Sequence, residues 1–536
     1  MNKINIIGAG LAGISAAITL AEKNYECRLI SAASSERAQS VMAEGGINAA
    51  LDTMGENDDP IQHFQDTMKG GVYLADPNAV YELCINAPDI VKHLCSIGAA
   101  LRIKDKQPIL RNFGGQKKKR TAYAKSSTGK ILMSALIDEA RKYEVSGLIQ
   151  RYPHHELCSL HIDNGICRGI SIIDIYTNAA IDLDGQTILC TGGMNSLFSG
   201  MTTGTTINTG DVTAEAFYKG AELANLEFIQ YHPTTISIPQ KRCLISEAAR
   251  GEGGRLFTVI NNKRSYFMEE KYPELGNLMP RDVVSREIAK AKQLKNGCGR
   301  VYLDMTVIDE ESWKNKLSDL RDECIDFLNT DPMKEPVEVS PGIHYFMGGI
   351  NVDKKHRTNI KGLYAAGECA CQYHGANRLG GNSMLGALYG GKKAAESAAE
   401  LINEGCFAIT DKIQNTCSSY INDQDYTIDK HTAEILKNAL GIFRNEKKLS
   451  SAYDTLSNLC ERRTLSERHK KRLVLARAML LSALNRRESR GSHTREDYPE
   501  KNDEKFLKTS IASLNGNNIE ITLRDIPEMR GNANEV

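Results

Sequence analysis

Long apolar runs are missing from this sequence. No stretch of about 18 or more consecutive apolar residues occurs, so no membrane-spanning helix is expected. Charge of one sign is not in excess either, because lysine plus arginine and aspartate plus glutamate number 67 each. That balance gives no reason to expect nucleic acid or an anionic membrane surface as a partner. The chain passes from Met1 almost directly into a strand-like segment, which leaves no room for a signal peptide.

Closely paired cysteines are also missing. The 14 cysteines are scattered without a CxxC pair, and the closest two are Cys369 and Cys371. This spacing argues against an iron–sulfur cluster or a zinc site in the chain and is typical of reduced thiols in a cytosolic protein. The 536 residues exceed what one hydrophobic core usually organises, so two or three domains are expected. No internal repeat is found.

A glycine-rich turn near the N-terminus lies in the context that dinucleotide binding requires. Residues 3–7 are predicted to form a strand, and the turn Gly8-Ala9-Gly10-Leu11-Ala12-Gly13 follows it. Residues 14–22 are predicted as a helix and residues 27–31 as a second strand. A GxGxxG turn inside such a strand–helix–strand unit indicates a dinucleotide site, although the glycines alone do not separate NAD from FAD.

Each glycine of this turn has its own physical role. Gly8 makes the turn, Gly10 lets the backbone approach a pyrophosphate, and Gly13 allows the helix to pack on the strand. The acid that usually binds the ribose is missing at the end of the second strand, where Ser31 and Ala32 stand. Either a hydroxyl takes part of that role or an acid arrives from elsewhere in the chain.

Further glycine turns follow predicted strands. Residues 188–193 and 362–366 are predicted as strands, the first ending in Thr191-Gly192-Gly193 and the second leading into Gly367-Glu368. Residues 37–50 form another glycine-centred loop. Several strand-end turns of this kind are what a doubly wound sheet offers to one extended ligand, which favours a large dinucleotide such as FAD.

The loop 374–385 combines a cation with glycines and side-chain amides. It places Arg378 beside Gly380 and Gly381, just before a helix-like run over residues 385–402. Glycines let the backbone approach a flat or anionic ligand closely, and a helix N-terminus offers free N–H donors. A guanidinium is a planar, forked donor suited to a carboxylate. The loop therefore predicts a ligand site in which Arg378 binds a carboxylate.

These motifs and several others occur in the order found in one protein family. They are Gly8-Ala9-Gly10-Leu11-Ala12-Gly13, Ala43-Glu44-Gly45-Gly46, Glu227-Phe228-Ile229-Gln230-Tyr231-His232-Pro233-Thr234, Glu247-Ala248-Ala249-Arg250-Gly251-Glu252-Gly253-Gly254, Pro280-Arg281-Asp282, His344-Tyr345-Phe346-Met347-Gly348-Gly349, Gly367-Glu368-Cys369 and the loop 374–385. The chain resembles the succinate dehydrogenase/fumarate reductase flavoproteins, with L-aspartate oxidase as a close relative. The resemblance covers nearly the whole chain, through Glu488-Ser489-Arg490-Gly491-Ser492-His493.

The resemblance implies an α/β fold with three parts. These are a doubly wound, Rossmann-like FAD-binding domain, an inserted α+β capping domain and a helical C-terminal domain. The expected boundaries are 1–230 and 345–405 for the FAD-binding domain, 231–344 for the capping domain and 406–536 for the C-terminal domain. Residues 428–440 and 465–487 are rich in helix formers, in agreement with the last part. The polar tail beyond Lys508 is expected to contain one strand-like run, 519–523.

The resemblance also implies the chemistry. Moving a hydride from flavin N5 to an activated alkene requires that both substrate carboxylates are held and that a proton is delivered. Four residues match the positions that hold the carboxylates: His232, His344, Ser246 and Arg378. The implied reaction is the reduction of fumarate, a C4 dicarboxylate, to succinate.

Proton delivery is assigned by the same resemblance. Arg281 would lie over the substrate as proton donor, and Glu247 and Arg250 would pass protons to it. Arginine has a pKa of about 12.5 or higher and is therefore protonated at neutral pH. It can act as an acid only in a desolvated, electropositive pocket where a neighbouring acid restores the proton quickly. Glu252 is interpreted as a structural partner and is left out of the site.

FAD is the implied cofactor, and no metal is expected. The residues assigned to FAD are Gly8, Gly10, Leu11, Ala12, Gly13, Ser31, Ser40, Ala43, Gly45, Gly46, Thr191, Gly192, Asp211, Glu368, Asn382, Ser383 and Leu385. Many membrane-bound relatives attach FAD covalently through a histidine, and Gln39 stands at that position here. An amide cannot make this bond, so FAD is expected to be non-covalent. Losing the link is expected to lower the flavin potential, which favours reducing fumarate.

Three alternative functions stay open. L-aspartate oxidase shares most of the motifs, but it tends to carry a glutamate where this chain has Phe113. An apolar ring can offer the substrate ammonium only a weak cation–π contact. Phe113 is therefore assigned to the substrate site of a fumarate-type enzyme. Gly386 replaces an acidic residue usual in relatives and, with Met384, leaves open a reductase of another unsaturated acid. The third alternative is a non-catalytic electron-transfer flavoprotein.

The expected partners follow from the same family. They are a C4-dicarboxylate or related small acid, and an iron–sulfur subunit or other electron carrier, with no nucleic acid and no direct membrane span. The expected location is cytoplasmic, or at the inner face of the membrane through a partner subunit. The cluster Lys117-Lys118-Lys119-Arg120 is predicted to be a solvated face, with docking of a charged redox partner as the alternative.

Overall fold

A parallel sheet, built from four N-terminal strands and one later strand, is the central element of the fold. The computed structural model describes residues 3–124, 127–238, 241–404, 423–462 and 465–529. Five strands form the sheet in the spatial order Leu363–Ala365, Thr187–Leu189, Ile4–Ile7, Cys27–Ser31 and Ile149–Pro153, and every neighbouring pair is parallel. The four strands predicted from the sequence are confirmed, and the fold class is the predicted α/β class.

Two helices pack unusually closely on this sheet. Leu11–Glu22 follows the first strand, and Asn382–Asn403 lies against it. A Cβ at Gly13 would lie 1.8 Å from the Gly8 carbonyl oxygen, and one at Gly391 would lie 2.1 Å from that of Ala12. Only glycine fits at either position, so Gly13 lets the first helix approach the turn after the first strand, and Gly391 lets the two helices approach each other.

A separate layer is formed by residues that lie, in sequence, between the strands Thr187–Leu189 and Leu363–Ala365 of the parallel sheet. Its six-stranded sheet has the order Lys241–Leu244, Ile229–Ile238, Val337–Phe346, Val301–Asp304, Arg255–Ile260 and Lys263–Ser265. Its helices are Arg281–Ala291, Glu310–Lys316 and Ser318–Leu328. Ile236, Leu256, Val284 and Trp313 belong to a hydrophobic core separate from that of the parallel sheet. The exact domain boundaries stay a prediction.

The C-terminal region shares a core with the parallel sheet. Its longer helices are Asp423–Ala439, Glu446–Cys460 and Glu467–Asn485. Leu456 and Leu475 pack in one cluster with Ile7 and Ile30 of the sheet. The C-terminal helices therefore reach the sheet edge at which the glycine turns lie.

The polar tail differs from the sequence prediction. It forms a hairpin, Lys508–Asn515 with Asn518–Asp525, rather than one strand. The hairpin joins a five-stranded sheet with Leu223–Ala224, Gly349–Asn351 and Ala370–Cys371. The overlooked signal was Gly516-Asn517, the two-residue loop between the paired Asn515 and Asn518, because Gly516 has φ +61° and a glycine at the first loop position is typical of a hairpin turn.

The remaining elements complete the layers. The remaining α-helices are Pro60–Gly70, Pro77–Ser96, Thr128–Val145, Asp211–Tyr218, Ala248–Gly251, Phe267–Lys271 and Asp503–Phe506. The remaining strands are Ile47–Asn48, Ile103–Lys104, Gln107–Pro108, Leu110–Arg111, Thr121–Ala122, His155–Asp163, Ile166–Asp174, Ala180–Asp184, Phe443–Arg444 and Thr494–Arg495. None of the described helices is long and apolar enough to span a membrane.

Two further expectations are corrected by the structure. Arg120 is fully buried and pairs with Asp58 at 2.9 Å and Asp66 at 2.8 Å, so the basic cluster is not wholly a solvated face. Two carboxylates brought from the helix around residues 60–70 and the loop before it compensate the buried charge. Eleven described cysteines are free, but Cys158 is disulfide-bonded, which contradicts the expectation of uniformly reduced thiols.

Candidate active site

A long cavity runs along the carboxyl edge of the parallel sheet, and its centre is the first glycine turn. Gly8 has φ +107°, and a Cβ there would lie 2.2 Å from the Cys190 carbonyl oxygen. A Cβ at Gly10 would lie 3.0 Å from the Ser40 Oγ, which accepts a hydrogen bond from the Leu11 N–H at 3.1 Å. The bare backbone and the N-terminus of the following helix therefore form a cradle that fits the diphosphate of a dinucleotide.

Most of the residues assigned to FAD line this cavity. They are Gly8, Gly10, Leu11, Ala12, Ser31, Ser40, Ala43, Gly45, Gly46, Thr191, Gly192, Asp211, Glu368 and Ser383. Burial raises the pKa of Glu368 to about 7, although its Oε1 accepts a hydrogen bond from the Phe346 N–H at 3.1 Å. Gln39 also lines the cavity and accepts a hydrogen bond from the Thr205 N–H at 2.6 Å.

Three residues assigned to FAD lie behind the cavity wall instead. Gly13 faces Gly8 across the helix–strand contact, and Leu385 is fully buried in the core. The Asn382 side chain is used internally: its Oδ1 lies 2.7 Å from the Asn48 Nδ2 and 3.0 Å from the His63 Nε2. These three residues do not line the cavity. Their sequence neighbours Ala12, Ser383 and Met384 do line it.

The catalytic candidates meet at one end of the cavity. Arg281 begins the helix Arg281–Ala291, and its Nε and Nη2 donate hydrogen bonds to the Glu247 Oε2 at 2.8 and 2.6 Å. Its Nη1 donates to the Gln230 Oε1 at 3.2 Å. Gln230 also donates from its Nε2 to the Arg378 carbonyl oxygen at 2.8 Å. Gln230 thus links the two arginines, a role that its place in the motif 227–234 could have suggested.

Glu247 is a buried carboxylate held between cations. Burial favours its neutral form, but Arg281 and Arg250 outweigh that effect and lower the pKa of Glu247 to about 2. Its Oε1 accepts a hydrogen bond from the Gly114 N–H at 2.9 Å and lies 3.6 Å from the Arg250 Nη2. Arg250 does not line the cavity, and it donates from Nη1 to the Asn277 carbonyl oxygen at 2.6 Å. Arg250 therefore reaches the cavity only through Glu247.

Two histidines and a serine form a polar wall beside Arg281. His232, His344 and Ser246 all line the cavity, and the two imidazole rings pack edge to face with centroids 5.2 Å apart. Burial and the positive charge of Arg281 hold the pKa of both histidines well below the usual value, so both are neutral at pH 7. The His344 Nδ1 lies 2.8 Å from the Thr203 Oγ1. The buried His232 Nε2 has no hydrogen-bond partner in the part of the chain that the structure describes.

Arg378 differs from the other cations of the site. Its guanidinium lies over the Tyr345 ring, 4.3 Å from the ring centroid, and its Nε has no hydrogen-bond partner among the described residues. Burial and the nearby Arg281 lower the pKa of Arg378 to about 9, which still leaves it charged at pH 7. A buried cation without an anionic partner is costly, so this site is complementary to an anion from outside the chain.

Phe113 lines the cavity and packs between two glycine-containing segments, those of Gly45 and Gly380. Its ring is buried and would lie 3.2 Å from a Cβ at Gly45, and its Cβ would lie 3.0 Å from one at Gly380. Gly386, in contrast, lies away from the cavity. A Cβ there would meet Tyr373 at 3.3 Å, so the missing acid does not reshape the floor of the site. Met384 does line the cavity.

Two cavity residues were not anticipated from the sequence. Glu156 and Arg468 line the cavity near Ser31, on the opposite side of the first strand from Thr191 and Glu368. Glu156 follows the fifth strand of the sheet, and Arg468 belongs to a C-terminal helix. No local motif marks either residue, since only the packing of distant elements brings them there. Glu252, left out of the site, pairs with Lys316 at 2.6 Å.

Comparison with known families agrees with this arrangement. The family profile described as FAD binding domain matches residues 4–384, and the profile described as fumarate reductase flavoprotein C-term matches residues 429–530. The chain is 38% identical to the succinate dehydrogenase flavoprotein subunit of Bacillus subtilis, over 95% of this chain and 94% of that protein. It is 33% identical to the 8-methylmenaquinol:fumarate reductase flavoprotein subunit of Wolinella succinogenes, over 96% of this chain and 88% of that protein.

A solved structure shows the same overall fold. The FrdA chain of a mutant E. coli quinol fumarate reductase superposes with a TM-score of 0.87 at 28% sequence identity. The match covers 99% of this chain and 97% of that one. The parallel sheet, the inserted layer and the C-terminal helices are therefore all parts of one shared architecture.

Proposed function

The chain belongs to the succinate dehydrogenase/fumarate reductase flavoprotein family and is an FAD-dependent oxidoreductase, and on that premise we propose that it reduces fumarate to succinate. The observation that carries the proposal is the charge at the catalytic end of the cavity. Arg250, Arg281 and Arg378 contribute three positive charges and Glu247 one negative charge, which leaves a net charge of +2. A dicarboxylate dianion supplies the matching charge of opposite sign.

Substrate binding follows from the contacts of the cavity wall. Arg378, which has no anionic partner among the described residues, clamps one carboxylate with paired, charge-assisted hydrogen bonds. His232, His344 and Ser246 face the same space and hold the other carboxylate. Phe113 and the edge of the sheet exclude water there, which strengthens each electrostatic contact. The two carboxylates fix the position of the alkene carbons between these groups.

The redox step requires the cofactor, and the proton step requires Arg281. Bound FAD supplies the hydride for the substrate double bond. Arg281 donates a proton from its guanidinium to the other alkene carbon, and Glu247 lies within hydrogen-bond distance to relay a replacement. The cations around Glu247 keep its carboxylate ionised. Glu247 therefore does not store a proton, but accepts one and passes it on to Arg281. Arg250 holds Glu247 from behind and completes the relay.

We expect FAD to be bound without a covalent link. Gln39 stands at the cavity wall, where its amide carbonyl is occupied by the Thr205 N–H and cannot form an alkyl bond to the flavin. Denaturing the purified holoprotein with acid should release all the flavin into the supernatant, where its absorbance is measured. Flavin that stays with the precipitated protein after washing would contradict a non-covalent cofactor.

The physiological electron donor is proposed to be a separate protein. The similar proteins of Bacillus subtilis and Wolinella succinogenes are named as subunits, which supports an assembly in this case too. We propose an iron–sulfur subunit or another electron carrier as the partner.

One alternative activity is L-aspartate oxidation. The site disfavours it, because an ammonium group would enter beside the guanidinium groups of Arg281 and Arg378 and would meet Phe113 at the position where the oxidases tend to carry a glutamate. A second alternative is a flavoprotein without substrate turnover, but Arg378, whose Nε has no hydrogen-bond partner among the described residues, and the neighbouring histidines support a working anion site.

One assay decides among these functions. The purified chain is incubated with reduced viologen and fumarate, and in parallel with L-aspartate and oxygen. We expect rapid fumarate-dependent viologen oxidation and no aspartate-dependent peroxide. Peroxide formation with aspartate would overturn the proposal in favour of the oxidase, and a flavin-loaded protein inactive in both assays would support the non-catalytic alternative.

A further inference from the structure

Arg468 brings the C-terminal helical region into the wall of the cofactor cavity. It lies in the first turn of the helix Glu467–Asn485 and lines the same cavity as Ser31. Its side chain is 32% exposed, so part of the guanidinium remains accessible from the cavity. No motif of the sequence assigned a role to this residue.

The position of Arg468 identifies the part of the ligand that it faces. In the sheet order, Cys27–Ser31 and Ile149–Pro153 lie on one side of the first strand, and Thr187–Leu189 and Leu363–Ala365 lie on the other. Glu368 follows Leu363–Ala365 on the second side, and its hydrogen bond from the Phe346 N–H links it to the strand that carries His344, so the flavin ring is expected on that side. A dinucleotide with its diphosphate at Gly10 therefore directs its adenosine half towards Ser31 and Arg468.

Two carboxylates hold the Arg468 guanidinium at this end. Its Nε donates a hydrogen bond to the Asp211 Oδ2 at 2.6 Å, and its Nη1 donates to the Glu156 Oε2 at 3.1 Å. Burial favours the neutral form of Asp211, but Arg468 and Arg472 outweigh this and lower the pKa of that carboxyl. Asp211 is thus ionised, and its hydrogen bond together with that of Glu156 fixes the plane of the guanidinium.

These groups supply what the second strand lacks. That strand ends in Ser31 without the acid that commonly binds the ribose hydroxyls. Asp211 and Glu156 bring carboxylates to the same end of the cavity, and Arg468 joins them. A planar cation fixed in this way can stack on a purine ring or donate its remaining N–H groups.

We propose that Arg468 is a cofactor-binding residue that contacts the adenosine half of FAD, with Asp211 and Glu156 as the acids that position it. The proposal rests on the proposed function only in taking FAD as the cofactor. It assigns the C-terminal helical region a direct part in retaining FAD, in addition to its packing against the parallel sheet.

Arg472 provides a matched control. It lies one turn further along the same helix and also pairs with Asp211, and its Nη1 donates to Asp429 at 2.7 Å. Unlike Arg468, it does not line the cavity. The variants Arg468→Gln and Arg472→Gln therefore both remove a cation from Asp211, but only the first changes the cavity wall.

The test measures binding to the full-length apoprotein by calorimetry, with ADP and FAD as probes. Arg468→Gln should weaken ADP and FAD binding by on the order of tenfold, the value of one charge-assisted or stacking contact. Arg472→Gln should lower the melting temperature and leave ADP affinity at the wild-type value. Equal losses of ADP affinity in both variants, or unchanged affinity in Arg468→Gln, would overturn the proposal.

The same variants separate this proposal from the proposed function. At a subsaturating FAD concentration, the flavin-to-protein absorbance ratio of Arg468→Gln should fall below that of the wild type, and this readout does not depend on fumarate turnover. Wild-type protein that binds FAD and ADP but does not reduce fumarate would refute the function and leave the role of Arg468 intact.

Discussion

Replacing Arg281 by alanine should lower the rate of fumarate reduction by on the order of 10³-fold or more, because both the proton donor and a positive charge at the reacting carbon are lost. FAD should remain bound, since the Arg281 side chain contacts Glu247 and Gln230 rather than the glycine cradle. The measurement is viologen-linked fumarate turnover together with the flavin-to-protein absorbance ratio.

Two further variants make this result interpretable. Removing Arg281 leaves Glu247 buried with Arg250 as its remaining cation, and this can destabilise the fold. Arg281→Lys keeps a charge near Glu247 and should fold normally while turnover still falls steeply, because an ammonium does not reproduce the guanidinium geometry. Lys290→Ala changes an exposed residue of the same helix, paired with Glu287, and should behave like the wild type. A near-normal rate in Arg281→Ala would remove Arg281 from the mechanism.

Replacing Arg378 by glutamine should act mainly on substrate affinity. Two charge-assisted hydrogen bonds to a carboxylate are worth about 3–5 kcal/mol together, so kcat/KM for fumarate should fall by about 10²- to 10⁴-fold. Most of the loss should be a higher KM, and succinate should perturb the flavin absorbance spectrum only at correspondingly higher concentrations. The protein should be at least as stable as the wild type, because the substitution removes a buried charge that has no anionic partner in the described part of the chain.

The conservative variant separates charge from geometry at this position. Arg378→Lys keeps the cation beside Tyr345 but loses the forked donor, so its KM should lie between those of the wild type and Arg378→Gln. If Arg378→Gln kept the wild-type KM, another group would have to bind the carboxylate. The net charge of the site would then no longer explain its choice of a dianion.

The sequence predicted which three arginines belong to the catalytic end but not which groups they contact. The motifs named Arg250, Arg281 and Arg378 without distinguishing their surroundings. In the structure, Arg281 and Arg250 share the carboxylate Glu247, whereas Arg378 has an aromatic ring as its neighbour. Arg250 is only three residues from Glu247, but Arg281 is 34 residues away, and no local pattern encodes the 2.6 Å contact of Arg281 with that carboxylate.

Arg120 and Gly386 illustrate the same limit. Arg120 ends a run of basic residues, which locally indicates a solvated face, yet Asp58 and Asp66 enclose it completely. Gly386 follows Met384 and Leu385 in the loop-to-helix segment, but the helix turns it towards Tyr373 and away from the cavity. In both cases the direction of a side chain is set by packing between segments far apart in sequence.

The sequence by itself determined the dinucleotide-binding unit around Gly8 and the type of most elements near it, because hydrophobic periodicity and glycine turns are local properties. Its ordered motifs also indicated the family and the reaction class. Only the tertiary structure decided which charges are paired, which assigned residues support the cavity from behind, and that Arg468 of the C-terminal helix reaches the cofactor cavity. These features depend on contacts across hundreds of residues, where the compensation of buried charge, rather than local preference, selects the arrangement.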